Sequence, residues 1–401
     1  MRMRKDVLLA VGLLVSIFLI YGSFSHAKDV RGVTDKLIKI GTIMDHTGPA
    51  ASSTVPMDKG IQHYARYINE LGGIHGRKLQ IISEDDHYSI PTAVAAYKKL
   101  VFKDKIFSLI GPGSGSFVPP LVNRWQNDKL PTMCLPFTEL AVEPFKKYVF
   151  IAVETYERQM MALTDYLVKD YKLKNLRIGL VHPDTEAGKG DAKAVLSRLK
   201  EYNIEPVTEE ITIVGGLDVS TQVMSLKRKN VNCVMNVGVM ASMAVTLLRD
   251  LKKFGLKVPV FSNWAIMLSD EVTELGDAAG QSYISSGLVP WYAEGPGVEE
   301  MRKVTLRYLP GADKAYGGTG HTYGWGKLRI LSEGIRRAGK DLDEDGLIKA
   351  LESLNNYDTG GVLAPITYTS KSHRGAQGTR IYRVDPLKKK FIPVTEWKKV
   401  D

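Results

Sequence analysis

The sequence predicts an α/β protein built as two lobes of parallel sheet. Three observations carry that expectation. Short apolar runs alternate with amphipathic helical runs, the pattern of repeated strand–helix units. A second series of such units begins near residue 158. After an N-terminal leader, about 374 of the 401 residues remain, enough for two domains of ordinary size.

The leader comes first in the chain. Arg2, Arg4 and Lys5 make a basic start, Val7 to Ile20 is almost wholly apolar, and Ser25-His26-Ala27 offers small residues where a signal peptidase reads. The 14-residue apolar run is short for a membrane span, so a signal cleaved near Ala27 is expected rather than an anchor. No cysteine lies near residue 27 to take a lipid, so the mature chain should start near Lys28 and be soluble outside the cytoplasm.

The first series opens with a strand at Leu37 to Ile43. A helix from Met57 to Leu71 follows, with Ile61, Ala65, Ile68 and Leu71 on one face and Gly72-Gly73 stopping it. "KLQIIS" is the next strand, and Ser89 caps a helix entered at Pro91 and carrying Val94, Tyr97 and Val101. "FSLIG" and "LPTMCL" are the third and fourth strands. In the second series, Met161 to Tyr171 is helical, "LRIGLVH" is a strand, and Gly188 to Tyr202 is helical. "VNCVMNVG", a helix from Ala241 to Phe254 and "VPVFSN" continue it. Such repeats imply parallel sheets with helices on both faces and right-handed crossovers.

In open α/β sheets, ligands sit at the carboxyl ends of strands. The loops there are Asp45 to Ser53, Ile110 to Phe117, Pro136 to Leu140, His182 to Gly190, Val237 to Ser242 and Ser262 to Met267. "IGPGSGSF" is the most suggestive of them. It lacks the Gly-Lys-Ser/Thr ending of a P-loop and misses the dinucleotide glycine spacing. It is either a small-anion site at a helix start or a strand-to-helix turn with no ligand.

Other classes are disfavoured. The net charge falls from +10 to +8 without residues 1–27, which hold three basic groups and one acidic group. The densest basic cluster, Lys388-Lys389-Lys390, has no interleaved aromatics, so no nucleic-acid partner is expected. Cys134 and Cys233 sit in apolar runs and read as buried free thiols rather than a disulfide. No zinc spacing, nucleophile motif or acid/base pair appears, so neither catalysis nor a cofactor or metal is expected.

Taken in order, "IKIGTIMDHTGPAA", "GIQHYARYINELGGIHGRKLQIISEDD", "IFSLIGPGSGS", "DLKKFGLKVPVFS" and "LGDAAGQSYISS" resemble the leucine/isoleucine/valine-type solute-binding proteins of ABC importers. These are the type I periplasmic binding proteins, and the resemblance covers nearly the whole mature chain. It implies two Rossmann-like lobes joined by three crossovers, near Val153, Ser285 and Gly360. Lobe one would comprise 36–153 plus 285–358, and lobe two 154–284 plus 359–401. It further implies a periplasmic, monomeric protein that closes over a small ligand by hinge bending and docks on a membrane permease.

The resemblance assigns roles. Ser114, Gly115 and Ser116 stand where the family binds a ligand carboxylate, with the amides of Gly115, Ser116 and Phe117 free to point outward. Phe137, Thr138 and Glu139 form the next loop, where Thr138 suits a hydrogen bond and Glu139 would repel an anion or pair with a cation. Ser53 replaces a first-loop aromatic, with His46 and Tyr88 nearby. Ala187 replaces a tyrosine, and Val239 or Met240 a second aromatic. Trp264 stands where amino-acid binders carry the acid that holds the ligand ammonium. His321 and Trp291-Tyr292 are placed near the cleft edge, and Tyr323 in the core.

Trp264, Met240, Phe137 and Ala187 together suggest a larger, apolar pocket for a hydrophobic or aromatic carboxylate. Alternatively, Glu139, Asp184 or Glu186 replaces the missing acid, and the ligand is a branched-chain or aromatic amino acid. A soluble sensor domain of the same fold is a further alternative.

Overall fold

The computed structural model describes residues 29–376 and 378–400. The expected leader and its cleavage point at Ala27 lie outside the described residues. No helix among the described residues is long and apolar enough to cross a membrane.

Two sheets organise the chain. The first holds β1 (Leu37–Met44), β2 (Lys78–Asp85), β3 (Ser108–Ile110), β4 (Thr132–Met133) and β5 (Val149–Phe150), all parallel, in the order β2-β1-β3-β4-β5. The second holds β6 (Ile178–Pro183), β7 (Thr208–Thr212), β8 (Cys233–Asn236), β9 (Val260–Ser262), β10 (Ser282–Ser286), β11 (Gly378–Asp385) and β12 (Lys390–Pro393), in the order β12-β11-β10-β9-β8-β6-β7. A short β13 (Lys398–Lys399) also pairs with β11. The α/β class is as the sequence predicts, with one correction. The second sheet is mixed, because β11 runs antiparallel to both β10 and β12.

Alternate side chains of the second sheet feed two cores, as the pleat requires. Leu180, Cys233 and Met235 point to one face, under the helices Tyr156–Asp165 and Glu186–Glu201. Val181 and Val234 point to the other, under the helices Ser220–Arg228 and Ala241–Lys253. Both faces are therefore covered, which is why these strands read as continuous apolar runs. Cys134 and Cys233 are buried free thiols, as expected.

The first sheet packs under the helix Ala51–Glu70, which starts six residues before the expected Met57. Pro56 makes Met57 look like the start, yet it sits in the second turn. The helix begins early because the Asp45 carboxylate accepts the amides of Gly48 and Ala50 at its entry. Across it lies the helix Gly320–Ala338. A Cβ on Gly324 would stand 1.9 Å from the Met57 carbonyl oxygen, and one on Gly60 would stand 2.2 Å from that of His321. Only glycine permits backbones this close.

The chain leaves the first sheet after Phe150, leaves the second after Ser286, and re-enters it at Gly378. The outgoing and returning segments touch through an antiparallel bridge between Leu288 and Leu363.

Candidate functional site

Each sheet has one point where strand order reverses, and ligands favour the crevice there. In the first sheet it lies between β1 and β3, and in the second between β6 and β8. One cavity of about 100 Å³ draws its walls from the segments after all four strands. Ala50, Ser53 and Thr54 follow β1, and Gly113, Ser114 and Gly115 follow β3. Ala187 and Asp191 follow β6, and Gly238, Val239 and Met240 follow β8. Tyr88, Tyr156, Asn263, Trp264, Ala265 and Leu268 complete the lining.

Ser114 caps the helical turn that follows it. Its Oγ accepts the Ser116 amide at 3.3 Å and donates to Tyr88 Oη at 3.4 Å. The Phe117 amide donates to the Ser114 carbonyl at 3.1 Å. Two of the three amides expected to point outward are thus spent within the turn, and Ser116 does not line the cavity. Gly113, Ser114 and Gly115 are the members of this loop that a carboxylate in the cavity would meet.

The aromatic wall differs from the expected roomy pocket. Trp264 is 7% exposed and stacks on Tyr156, with centroids 5.4 Å apart and 10° between planes. Phe137 does not line the cavity: it is fully buried behind Trp264, its ring 4.2 Å away. Trp264 shares the cavity wall with small Ser53 and Ala187. The remaining 100 Å³ falls well below the roughly 300–1,000 Å³ of a drug-sized site.

Beneath this wall, Tyr323 packs edge-on against Phe137 and donates to the Leu135 carbonyl at 2.8 Å. Lys327, fully buried on the same helix, donates to the Cys134 carbonyl and places its ammonium 4.8 Å from the Tyr323 ring centre. Burial pushes its pKa down to about 7.

The acids expected to hold an ammonium are engaged elsewhere. Glu139 pairs with Arg374 and accepts from Thr155 Oγ1 at 2.8 Å. Thr138 donates to Glu157 at 3.0 Å. Both line a neighbouring cavity of about 510 Å³ that shares only Gly115, Tyr156 and Ala187 with the first. Glu186 also lines that neighbour, and exposed Asp184 pairs with Lys189 at 2.6 Å.

Asp191 is the residue the sequence reading missed. It is 3% exposed, lines the small cavity, and accepts the Gly238 amide at 3.1 Å. Burial holds its carboxyl well above the usual range, and the nearby Glu157 carboxylate adds to the effect. A signal existed, because Asp191 lies four residues after Ala187 on one helix and so shares its face.

Among the other candidates, Tyr88 lines the cavity, whereas His46 pairs with Asp58 at 3.3 Å. His321 is buried between Tyr316 and Trp291, and burial lowers its pKa to about 3. Tyr323 is core, as expected. Outside the cavity lining, carboxylate oxygens of Asp45, Asp85 and Asp86 lie within 4.8 Å of one another. Burial pushes the Asp86 carboxyl up to about 6.

The family model described as periplasmic binding protein matches residues 37–390. A Leu/Ile/Val-binding protein of Escherichia coli K12 is 26% identical over 339 residues, 83% of this chain and 87% of its own. An amino acid binding protein of Pseudomonas aeruginosa is 23% identical, covering 87% of this chain and 90% of its own. A branched chain amino acid ABC transporter structure from Thermus thermophilus with bound valine has a TM-score of 0.83 at 21% identity, covering 92% of this chain and 97% of its own. A fatty acid ABC transporter substrate-binding protein from Thermomonospora curvata has a TM-score of 0.81 at 21% identity, covering 93% and 95%.

Proposed function

Because this chain belongs to the periplasmic binding protein family, we propose that it captures a small aliphatic α-amino acid in the cavity between its sheets and delivers it to an ABC permease. The observation that carries the reading is Asp191, a buried carboxyl lining the same small cavity as Ser114 and Gly115. The ligand carboxylate would take the Ser114 hydroxyl and the Gly115 amide. The ammonium would face Asp191, which would release its proton as the pair forms. Trp264 and Val239 would cover the side chain, and the volume of about 100 Å³ favours a short one. The relatives named for leucine, isoleucine and valine support this choice.

The proposal includes export to the periplasm, a monomer, and lobes at 36–153 plus 285–358 and 154–284 plus 359–401. Capture without turnover is part of it.

A second reading keeps the hydrophobic or aromatic carboxylate. It is favoured by the burial of Asp191, which raises its pKa and so favours the neutral carboxyl, a form that can donate to an anion without an ammonium. Thermal unfolding separates the two. Each amino acid is compared with its deaminated acid, such as leucine with 4-methylpentanoate and phenylalanine with 3-phenylpropanoate. A ligand at about 100 times its Kd adds roughly 2.7 kcal/mol. The proposal expects the midpoint to rise with the aliphatic amino acids, and a rise with the deaminated acids alone would reject it.

A further inference from the structure

The cavity between the sheets is not the largest one. A second, of about 620 Å³, lies against the crossover segments, within the size range of small-molecule sites. One wall comes from the segments that bridge at Leu288 and Leu363, through Tyr292, Leu363 and Pro365. The other comes from β11, β12 and the residues beyond, through Arg380, Phe391 and Trp397. None of these residues lines the cavity at Ser114.

Its chemistry is that of an amphipathic anion site. The floor is apolar, and two aromatic faces, Tyr292 and Trp397, stand beside cations. The Arg380 guanidinium lies 4.9 Å from the Trp397 ring centre, and the Lys390 ammonium 4.8 Å from that of Tyr292. Arg380 has a buried Nε without a hydrogen-bond partner, while its Nη2 donates to exposed Glu396 at 3.1 Å. Lys388 and Lys390 are exposed at the lining. Arg380 is paired with Glu396, while Lys388 and Lys390 stand with two acids of the wall, Glu294 and Asp358, of which Asp358 is engaged by the Gly360 amide at 2.7 Å.

We propose that this cavity is a second binding site, separate from the one between the sheets, for an amphipathic monoanion: a carboxylate or sulfonate head on a flat or chain-like apolar body. The head group meets Arg380, Lys388 and Lys390, and the body lies between Tyr292 and Trp397. An occupant touches the crossover segments and the β11–β12 hairpin together, so its binding is coupled to any rotation of one sheet against the other.

The test uses 8-anilinonaphthalene-1-sulfonate as the probe, followed by its own fluorescence on the full exported chain. The proposal expects one saturable site, bound at least about tenfold more weakly by the Lys388→Glu/Lys390→Glu double variant. Both lysines are exposed, so folding should survive, and an unchanged thermal midpoint checks it. Trp397→Ala should weaken the probe as well. The uncharged N-phenyl-1-naphthylamine should respond to Trp397→Ala and not to charge reversal. Ser114→Ala should leave the probe's affinity unchanged, which separates this site from the amino-acid cavity. Equal affinity in the double variant, loss of binding in Ser114→Ala, or no saturable binding would each overturn the proposal.

Discussion

Replacing Lys327 with methionine should stabilise the protein at mildly acidic pH. Lys327 is fully buried, and its ammonium pKa of about 7 lies below the ordinary 10.5. The gap corresponds to roughly 5 kcal/mol. Because the folded pKa is depressed, the unfolded chain binds the extra proton between those values. The cost is therefore full below about pH 7 and shrinks as pH rises toward 10.5. Methionine conserves volume but leaves the Cys134 carbonyl without its donor, which costs about 1–3 kcal/mol. The net expectation is a gain of roughly 2–4 kcal/mol near pH 6 and close to none near pH 9. Urea unfolding at the two pH values reads this as a shift in midpoint at unchanged slope. A variant less stable than the parent near pH 6, or a gain independent of pH, would show that the buried ammonium does not carry this cost.

Other consequences can be measured on the same preparation. Asp86→Asn should stabilise the protein near pH 7.5 by up to roughly 3 kcal/mol, because Asp86 titrates at about 6 instead of 3.8 when folded. A raised folded pKa makes the parent lose stability as pH climbs through about 6, so the advantage should fade near pH 4 in denaturation curves. Ser114→Ala should weaken amino-acid binding by roughly 10- to 100-fold in calorimetric titration, the loss of a hydrogen bond to a charged group. Trp264→Ala should lower the thermal midpoint, costing up to roughly 3–5 kcal/mol, while admitting phenylalanine to the enlarged cavity. Unchanged ligand preference in that variant would mean the indole does not set the pocket's size.

Much of this architecture is legible along the chain. β1, β3 and β6 are short apolar runs ended by turns or glycine, and their helices carry 3.6-residue periodicity. Strands with mixed faces escaped. β7, "TEEIT", is a sheet edge with Glu209 and Glu210 in it, so it lacks the continuous apolar run of its buried neighbours. β11 and β12 pair antiparallel, which no repeat of strand–helix units announces. At the site, the Ser114 loop is visible because it is a glycine-rich strand end. Trp264 is visible as a residue, but packing decides whether an indole enlarges or fills a cavity, and here Tyr156 and Phe137 fix it as filler. Asp191 lies one turn inside a helix, where no strand-end loop marks it.

In the proposed site, Ser114 and Asp191 hold the two ends of one zwitterion. This pairing is tested most directly by titration calorimetry of leucine and 4-methylpentanoate in buffers of different ionisation enthalpy, on the parent and on Asp191→Asn. The parent should bind leucine more tightly than 4-methylpentanoate and release protons as it does so, because the ammonium favours the charged form of Asp191. Asp191→Asn should lose both the proton release and the preference for leucine. Tighter binding of 4-methylpentanoate by the parent, or leucine affinity unchanged in Asp191→Asn, would contradict it.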